Sequence, residues 1–146
     1  HEYKYFFAKN PKQEEKLWKD FLDFFDILDD FKIYTYSHHE STTLKKLFNK
    51  YKGNRKVYKK IMDNIIDLFD VVKQTAVFPI YSYTVKDVAK SLGFKWSAHD
   101  AGGAQSIIWY EKFLNTKNKK YQDELLRYNE EDCKAMVVIK DWIEKE

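Results

Sequence analysis

Residues 125–136 constrain this chain most: Leu125-Leu126-Arg127-Tyr128-Asn129-Glu130-Glu131-Asp132-Cys133-Lys134-Ala135-Met136. Leu125, Tyr128, Asp132, Met136, Ile139 and Ile143 recur at steps of three and four, so the spacing predicts a long helix with these side chains on one face. Asp132 sits inside that apolar stripe, where a bare carboxylate costs free energy unless something positive meets it. A metal ion is the simplest partner. Tyr128 lies one turn earlier on the same face, within reach of the same pocket. A structural reading stands beside this one: an Asp at a stripe edge bonded to a neighbouring group, and a Tyr at the core edge with a polar tip.

The 146 residues, 44% hydrophobic and 18% aromatic, supply a core for one domain spanning residues 1–146 and argue against disorder. A net charge of +3 suits a polyanionic partner but is too mild to identify one. The single cysteine, Cys133, excludes an internal disulfide framework and fits a reducing, cytoplasmic compartment. No apolar run is long enough to cross a bilayer and no signal-peptide pattern opens the chain, so a soluble protein without a membrane partner is expected. The chain opens His1-Glu2-Tyr3 without an initiator methionine, which makes a processed product, an excised domain or a fragment the expectation.

In chain order, the aromatic residues 3–8 read as a strand. Asn10 is an N-cap with Pro11 at the first helical position, and Leu17, Phe21, Phe24, Phe25 and Leu28 form the stripe of the helix that follows. Ile33-Tyr34-Thr35-Tyr36 is a second strand running into Ser37-His38-His39-Glu40 and a helix that buries Leu44, Leu47, Phe48 and Tyr51. Glu40, one turn before Leu44, faces the same interior from a strand end and helix start, where open α/β sheets place their sites. Ser37-x-x-Glu40 is equally a capping box, and the adjacent His38 and His39 read as solvated turn residues. After a break at 52–54, a longer helix is expected with the stripe Tyr58, Ile61, Ile65, Leu68 and Val72, leaving Asp67 and Asp70 on its solvent side. The extended stretch Ile80-Tyr81-Ser82-Tyr83 precedes a second capping box, Thr84-x-x-Asp87. A short helix follows through Val85, Val88, Ala89 and Leu92, ended by Gly93 with Phe94 behind it. Residues 95–103 form a loop with Trp96, His99, Asp100 and Gly102-Gly103, a weak phosphate-cradle signal. The next helix buries Ile107, Ile108, Tyr110 or Phe113, and Leu114, and a polar connector at 115–120 leads to Tyr128 and Asp132. No internal repeat is present.

The order of these pieces is recognisable. Tyr36-Ser37-His38-His39-Glu40 with Leu44-Lys45-Lys46-Leu47, Tyr81-Ser82-Tyr83-x-x-Lys86-x-x-x-x-x-Leu92-Gly93-Phe94, Trp109-Tyr110-Glu111 and Tyr128-Asn129-Glu130-Glu131-Asp132-Cys133 together resemble an exonuclease family of the ribonuclease H-like superfamily that is often fused to RecB-like nuclease modules. The resemblance runs over nearly the whole chain. Its sharpest element, Tyr-Asn-x-x-Asp, corresponds to the third motif of DEDD exonucleases in the variant with a tyrosine four residues before the aspartate.

The resemblance implies a helix-rich α/β, ribonuclease H-like exonuclease fold that hydrolyses DNA or RNA from the 3′ end with four acids and two Mg²⁺ or Mn²⁺ ions. Glu40 would stand as the second-motif acid and Asp132 as the last, both as metal ligands. Tyr128 would orient or help deprotonate the attacking water, and Lys86 and Tyr83 would contact substrate. A larger parent chain with nuclease or helicase modules is the implied setting. One departure bears on all of this: the first motif, Asp-x-Glu, occurs nowhere in the chain. The expectation is therefore a fold lacking its N-terminal strands, with weak metal binding and slow cleavage by this chain alone. Two rivals remain: a non-catalytic nucleic-acid module in which Tyr81, Tyr83 and Trp96 stack bases, and a protein-interaction domain that keeps the fold without the chemistry.

Overall fold

The computed structural model describes residues 1–97 and 102–146, so His99 and Asp100 of the expected loop lie outside the described residues. The chain forms two compact units, Phe6–Val77 and His1–Tyr5 with Phe78–Glu146.

The first unit begins where the sequence places its first helix. The Asn10 side chain accepts from the Lys12 amide, Pro11 opens a 3₁₀ turn at Pro11–Gln13, and α1 follows over Glu14–Asp26. Its inward face centres on Trp18 and Leu22, four residues apart, with Phe21 and Phe25 at the edges. The expected stripe is thus rotated by one residue, because the Trp18 indole N–H turns inward to reach the Lys52 carbonyl at 2.8 Å. Strand β1 (Ile33–Thr35) feeds α2 (His39–Tyr51), and α3 (Arg55–Asp63) packs on α1 to close a core of Trp18, Leu22, Phe48, Val57 and Ile61. Phe48 stacks on Tyr58 with ring centroids 4.1 Å apart.

The long helix expected through residues 58–72 is broken. Asn64 ends α3 and its side chain donates back to the Lys60 carbonyl at 2.7 Å. Ile65–Asp67 then forms strand β2, parallel to β1 with Ile33 opposite Ile65 and Thr35 opposite Asp67, before α4 starts at Leu68–Thr75. The stripe misled because Ile61, Leu68 and Val72 are all buried at helix-compatible spacings of seven and four on either side of the break. β-Branched Ile65 and Ile66 take the ladder positions instead.

Every regular element described in the second unit is a helix. Thr84 caps α5 (Val85–Ser91) by accepting from the Asp87 amide at 3.2 Å, and Gly93, at φ +91°, turns the chain so that the Phe94 amide reaches the Ala89 carbonyl. Helices α6 (Gly103–Thr116) and α7 (Lys119–Ile143) complete it around Val88, Ala89, Phe113, Ala135 and Ile139. Ile107 and Ile108, expected in the core, are exposed. Trp109 and Phe113, four apart, set the inward face of α6 and turn the two isoleucines outward.

Residues 3–8 are not a strand. Their rings are used singly: Phe6 packs edge-on against Phe21 and Phe24 in the first unit. Tyr3, in the second, donates to Asn129 Oδ1 at 2.9 Å. Aromatic alternation therefore reports burial here without a ladder. No described helix is long and apolar enough to cross a membrane.

Candidate functional site

Helix α7 presents Tyr128 and Asp132 one turn apart, as the periodicity requires. Around them α5 contributes Lys86 and the segment beyond Gly93 contributes Trp96. The Trp96 ring is 7% exposed, fixed by an edge-on contact with Phe94 at 4.7 Å, and its indole N–H donates to Asp132 Oδ1 at 2.8 Å. The neighbouring Ser97 amide donates to the Glu131 carboxylate, which ties this segment to the same turn of α7. The Lys86 ammonium lies 5.2 Å from the Tyr128 ring centre and 5.7 Å from that of Trp96, a cation bracketed by two aromatic faces.

These contacts set the electrostatics. Burial pushes the Asp132 carboxyl above its ordinary range, against the pull of the Trp96 N–H, the Lys86 charge and the Tyr128 hydroxyl. Burial and the adjacent Asp132 push the Tyr128 phenol up, so it stays protonated at neutral pH and donates to the carboxylate. Tyr128 is thus a donor that orients, and a poor base. Tyr83 is committed elsewhere: its hydroxyl accepts from the Phe78 amide at 3.1 Å and its ring packs on Phe78.

Glu40 belongs to the other unit, in the first turn of α2. The capping box expected with Ser37 does not form. The Ser37 amide, which a capping-box Glu would take, donates to Asp67 Oδ1 at 2.8 Å, and His38 occupies the N-cap position. Glu40 Oε2 and Asp67 Oδ2 are both buried without a hydrogen-bond partner. Burial raises the Glu40 carboxyl above its usual range, and the Asp67 charge adds to the rise. Asp67, expected on a solvent face, is the N-cap of α4, and its side chain is only 11% exposed.

A family model described as RNase H superfamily matches residues 1–144. The chain belongs to the RNase H superfamily. No curated protein and no solved structure matches it. Divalent cations are the group this superfamily implies, and Glu40 fits them: a buried carboxylate oxygen without a donor is what a hard cation takes up. The RNase H superfamily match accords with the helix-rich α/β arrangement, and the structure brings Tyr128, Asp132 and Lys86 together within one unit.

Two residues of this RNase H superfamily chain escaped sequence reasoning. Trp96 enters the sequence reading only as a loop residue and as a stacking ring of the rival module, whereas its ring is buried and its N–H bound. Asp67 had a signal that helix periodicity hid: Asn64-Ile65-Ile66-Asp67-Leu68 repeats the order of strand, polar residue and helix already recognised at residues 33–40.

Proposed function

We propose that this chain is a nuclease-type domain of the Tyr-variant DEDD exonuclease class, hydrolysing phosphodiester bonds in DNA or RNA from the 3′ end. We read residues 1–146 as one functional domain. The observation that carries this reading is the Trp96–Asp132–Tyr128–Lys86 constellation on α5, α7 and the segment beyond Gly93: a half-buried carboxylate held in one orientation, a neutral phenol beside it and a cation near its ring.

In this reading Asp132 and Glu40 are the acids that would hold divalent cations. When bound, these ions supply Lewis-acid activation of water and neutralise charge building on the phosphoryl oxygens. The chain's own groups do the rest. Trp96 occupies Asp132 Oδ1 and leaves the remaining lone pairs directed. Tyr128, protonated, donates its O–H to Asp132 and would orient the attacking water through its oxygen, which accepts from the water. Lys86 attracts the phosphate electrostatically and favours the ionised form of Asp132. Burial removes Trp96 from the rings the base-stacking rival would use, while Tyr81 stays exposed.

The test is cleavage of 3′- and 5′-labelled single-stranded DNA and RNA with Mg²⁺ or Mn²⁺. Shortening from the 3′ end is expected, with Asp132→Asn reducing it more than about 100-fold and Tyr128→Phe about 10- to 100-fold. Hydrolysis that survives Asp132→Asn unchanged would sink the assignment.

A further inference from the structure

We propose that His38, Asp67 and Asp70 form a divalent transition-metal site at the C-terminal end of the β1–β2 strand pair, going beyond the nuclease reading and independent of it. One ligand atom from each of the three lies within 4.8 Å of the other two. The imidazole stands between the carboxylates, with Nδ1 3.4 Å from Asp67 Oδ2 and Nε2 3.7 Å from Asp70 Oδ2. Both separations are too long for a hydrogen bond. They run from the two different ring nitrogens, so the carboxylates flank the imidazole, and a shared ion needs the ring to turn one nitrogen to it, with donors then roughly 3–3.5 Å apart at metal–ligand distances of about 2.1 Å.

The site is built rather than gathered. Parallel pairing sets Thr35 opposite Asp67, so both strands deliver their following residues to the same end of the pair. Asp67 Oδ1 is held by the amides of Ser37 at 2.8 Å and Phe69 at 3.0 Å. Those two bonds fix the carboxylate and leave Oδ2 directed towards His38, buried and with no hydrogen bond of its own. Asp70, three residues on, falls on the same side of the first turn of α4. Helix capping accounts for Oδ1 and for an acid in the first turn. It leaves the buried, donorless Oδ2 unexplained, and a cation explains it.

The donor set names the class of ion. One imidazole and two carboxylates suit Zn²⁺, Mn²⁺ or Fe²⁺, while Mg²⁺ prefers an all-oxygen shell. Three protein ligands leave positions open for water. His38 is 75% exposed, so its ring can turn to give one nitrogen to the ion.

The experiment is a calorimetric titration of the full chain with Zn²⁺, Mn²⁺ and Mg²⁺, repeated on His38→Ala, Asp70→Asn and Asp132→Asn, with Co²⁺ absorption as a probe of the imidazole ligand. The expected result is about one equivalent of Zn²⁺ or Mn²⁺ that binds at least about tenfold tighter than Mg²⁺. Asp132→Asn should retain it, and His38→Ala and Asp70→Asn should each weaken it at least about tenfold. Both of these change exposed side chains, 75% and 45%, and metal-free melting curves matching the wild type will show that the fold survives. No Zn²⁺ or Mn²⁺ binding, or binding untouched by His38→Ala and Asp70→Asn, overturns the proposal and leaves His38 as a plain charge bridge. Loss of the equivalent in Asp132→Asn alone overturns it too. The nuclease reading is judged separately, by cleavage.

Discussion

Two half-buried carboxylate centres in this chain solve the same problem differently. Asp132 is answered from within the protein, by an indole N–H at 2.8 Å, a phenol hydroxyl and a lysine charge. At the strand ends, Asp67 Oδ1 is answered by two amides, while its Oδ2 and the Oε2 of Glu40 are buried and unanswered. An unmet buried acceptor costs about 1–3 kcal/mol, more when charged, so a fold that keeps two in one unit carries them for a reason outside its own hydrogen bonds. The difference separates a carboxylate held in place by its surroundings from carboxylates whose partner is a ligand.

The largest expected effect comes from breaking the answered half of the strand-end centre. Asp67→Ala removes the cap of α4 and strands the Ser37 amide, whose residue already sits at φ +91°. A lost cap of about 1 kcal/mol and an unmet amide of about 1–3 kcal/mol give an expected destabilisation of about 2–4 kcal/mol by urea denaturation. Asp67→Asn, which keeps one acceptor oxygen, should lose much less. Equal losses would mean that the charge, rather than the two amide contacts, holds α2 and α4 at the strand ends.

The next effect makes the Asp132 centre resemble the other. Trp96→Phe keeps a buried ring but deletes the N–H, leaving Asp132 Oδ1 without its donor. A loss of about 1–3 kcal/mol is expected in the same assay. In the Trp96→Phe background, Asp132→Asn should cost less than it does alone, because the two residues share one interaction. Strict additivity would show that Trp96 matters only as core volume.

These contrasts bear on how much the sequence revealed. The Asn10-Pro11 start, the Thr84 cap, the Gly93 stop and the Tyr128–Asp132 face were all legible, because each is written in neighbours a few residues apart. The β2 break was not, since Ile61, Leu68 and Val72 satisfy a helical period across it. The partners of the acids were equally hidden. Trp96 and Asp132 are 36 residues apart, and Ser37 and Asp67 are 30 apart, so neither pairing leaves a local pattern. Local chemistry identified which groups matter, and tertiary contacts decided which of them were satisfied.

The smallest effect, and the sharpest on the comparison, sets Glu14 against Glu40 in the same unit. Glu14 accepts from the Lys50 ammonium at 2.7 Å and the Tyr51 hydroxyl at 2.6 Å, and these bonds hold its carboxyl below the ordinary value of 4.5. The folded state therefore favours the ionised form. That stability is fully present above the ordinary range and is lost as pH falls through the lowered folded value. Wild type should exceed Glu14→Gln slightly at pH 7 and low salt, with the gap closing at low pH and in high salt. Glu40 has the opposite sign: burial raises its carboxyl, so the unfolded chain ionises first as pH rises and stability is lost. In metal-free buffer Glu40→Gln should be more stable than wild type at neutral pH, and the gain should vanish at low pH, where both side chains are neutral. Paired urea melts at the two pH values decide it. If Glu40→Gln instead follows Glu14→Gln, the Glu40 carboxylate has a partner in solution, and the contrast between answered and unanswered carboxylates fails at that residue.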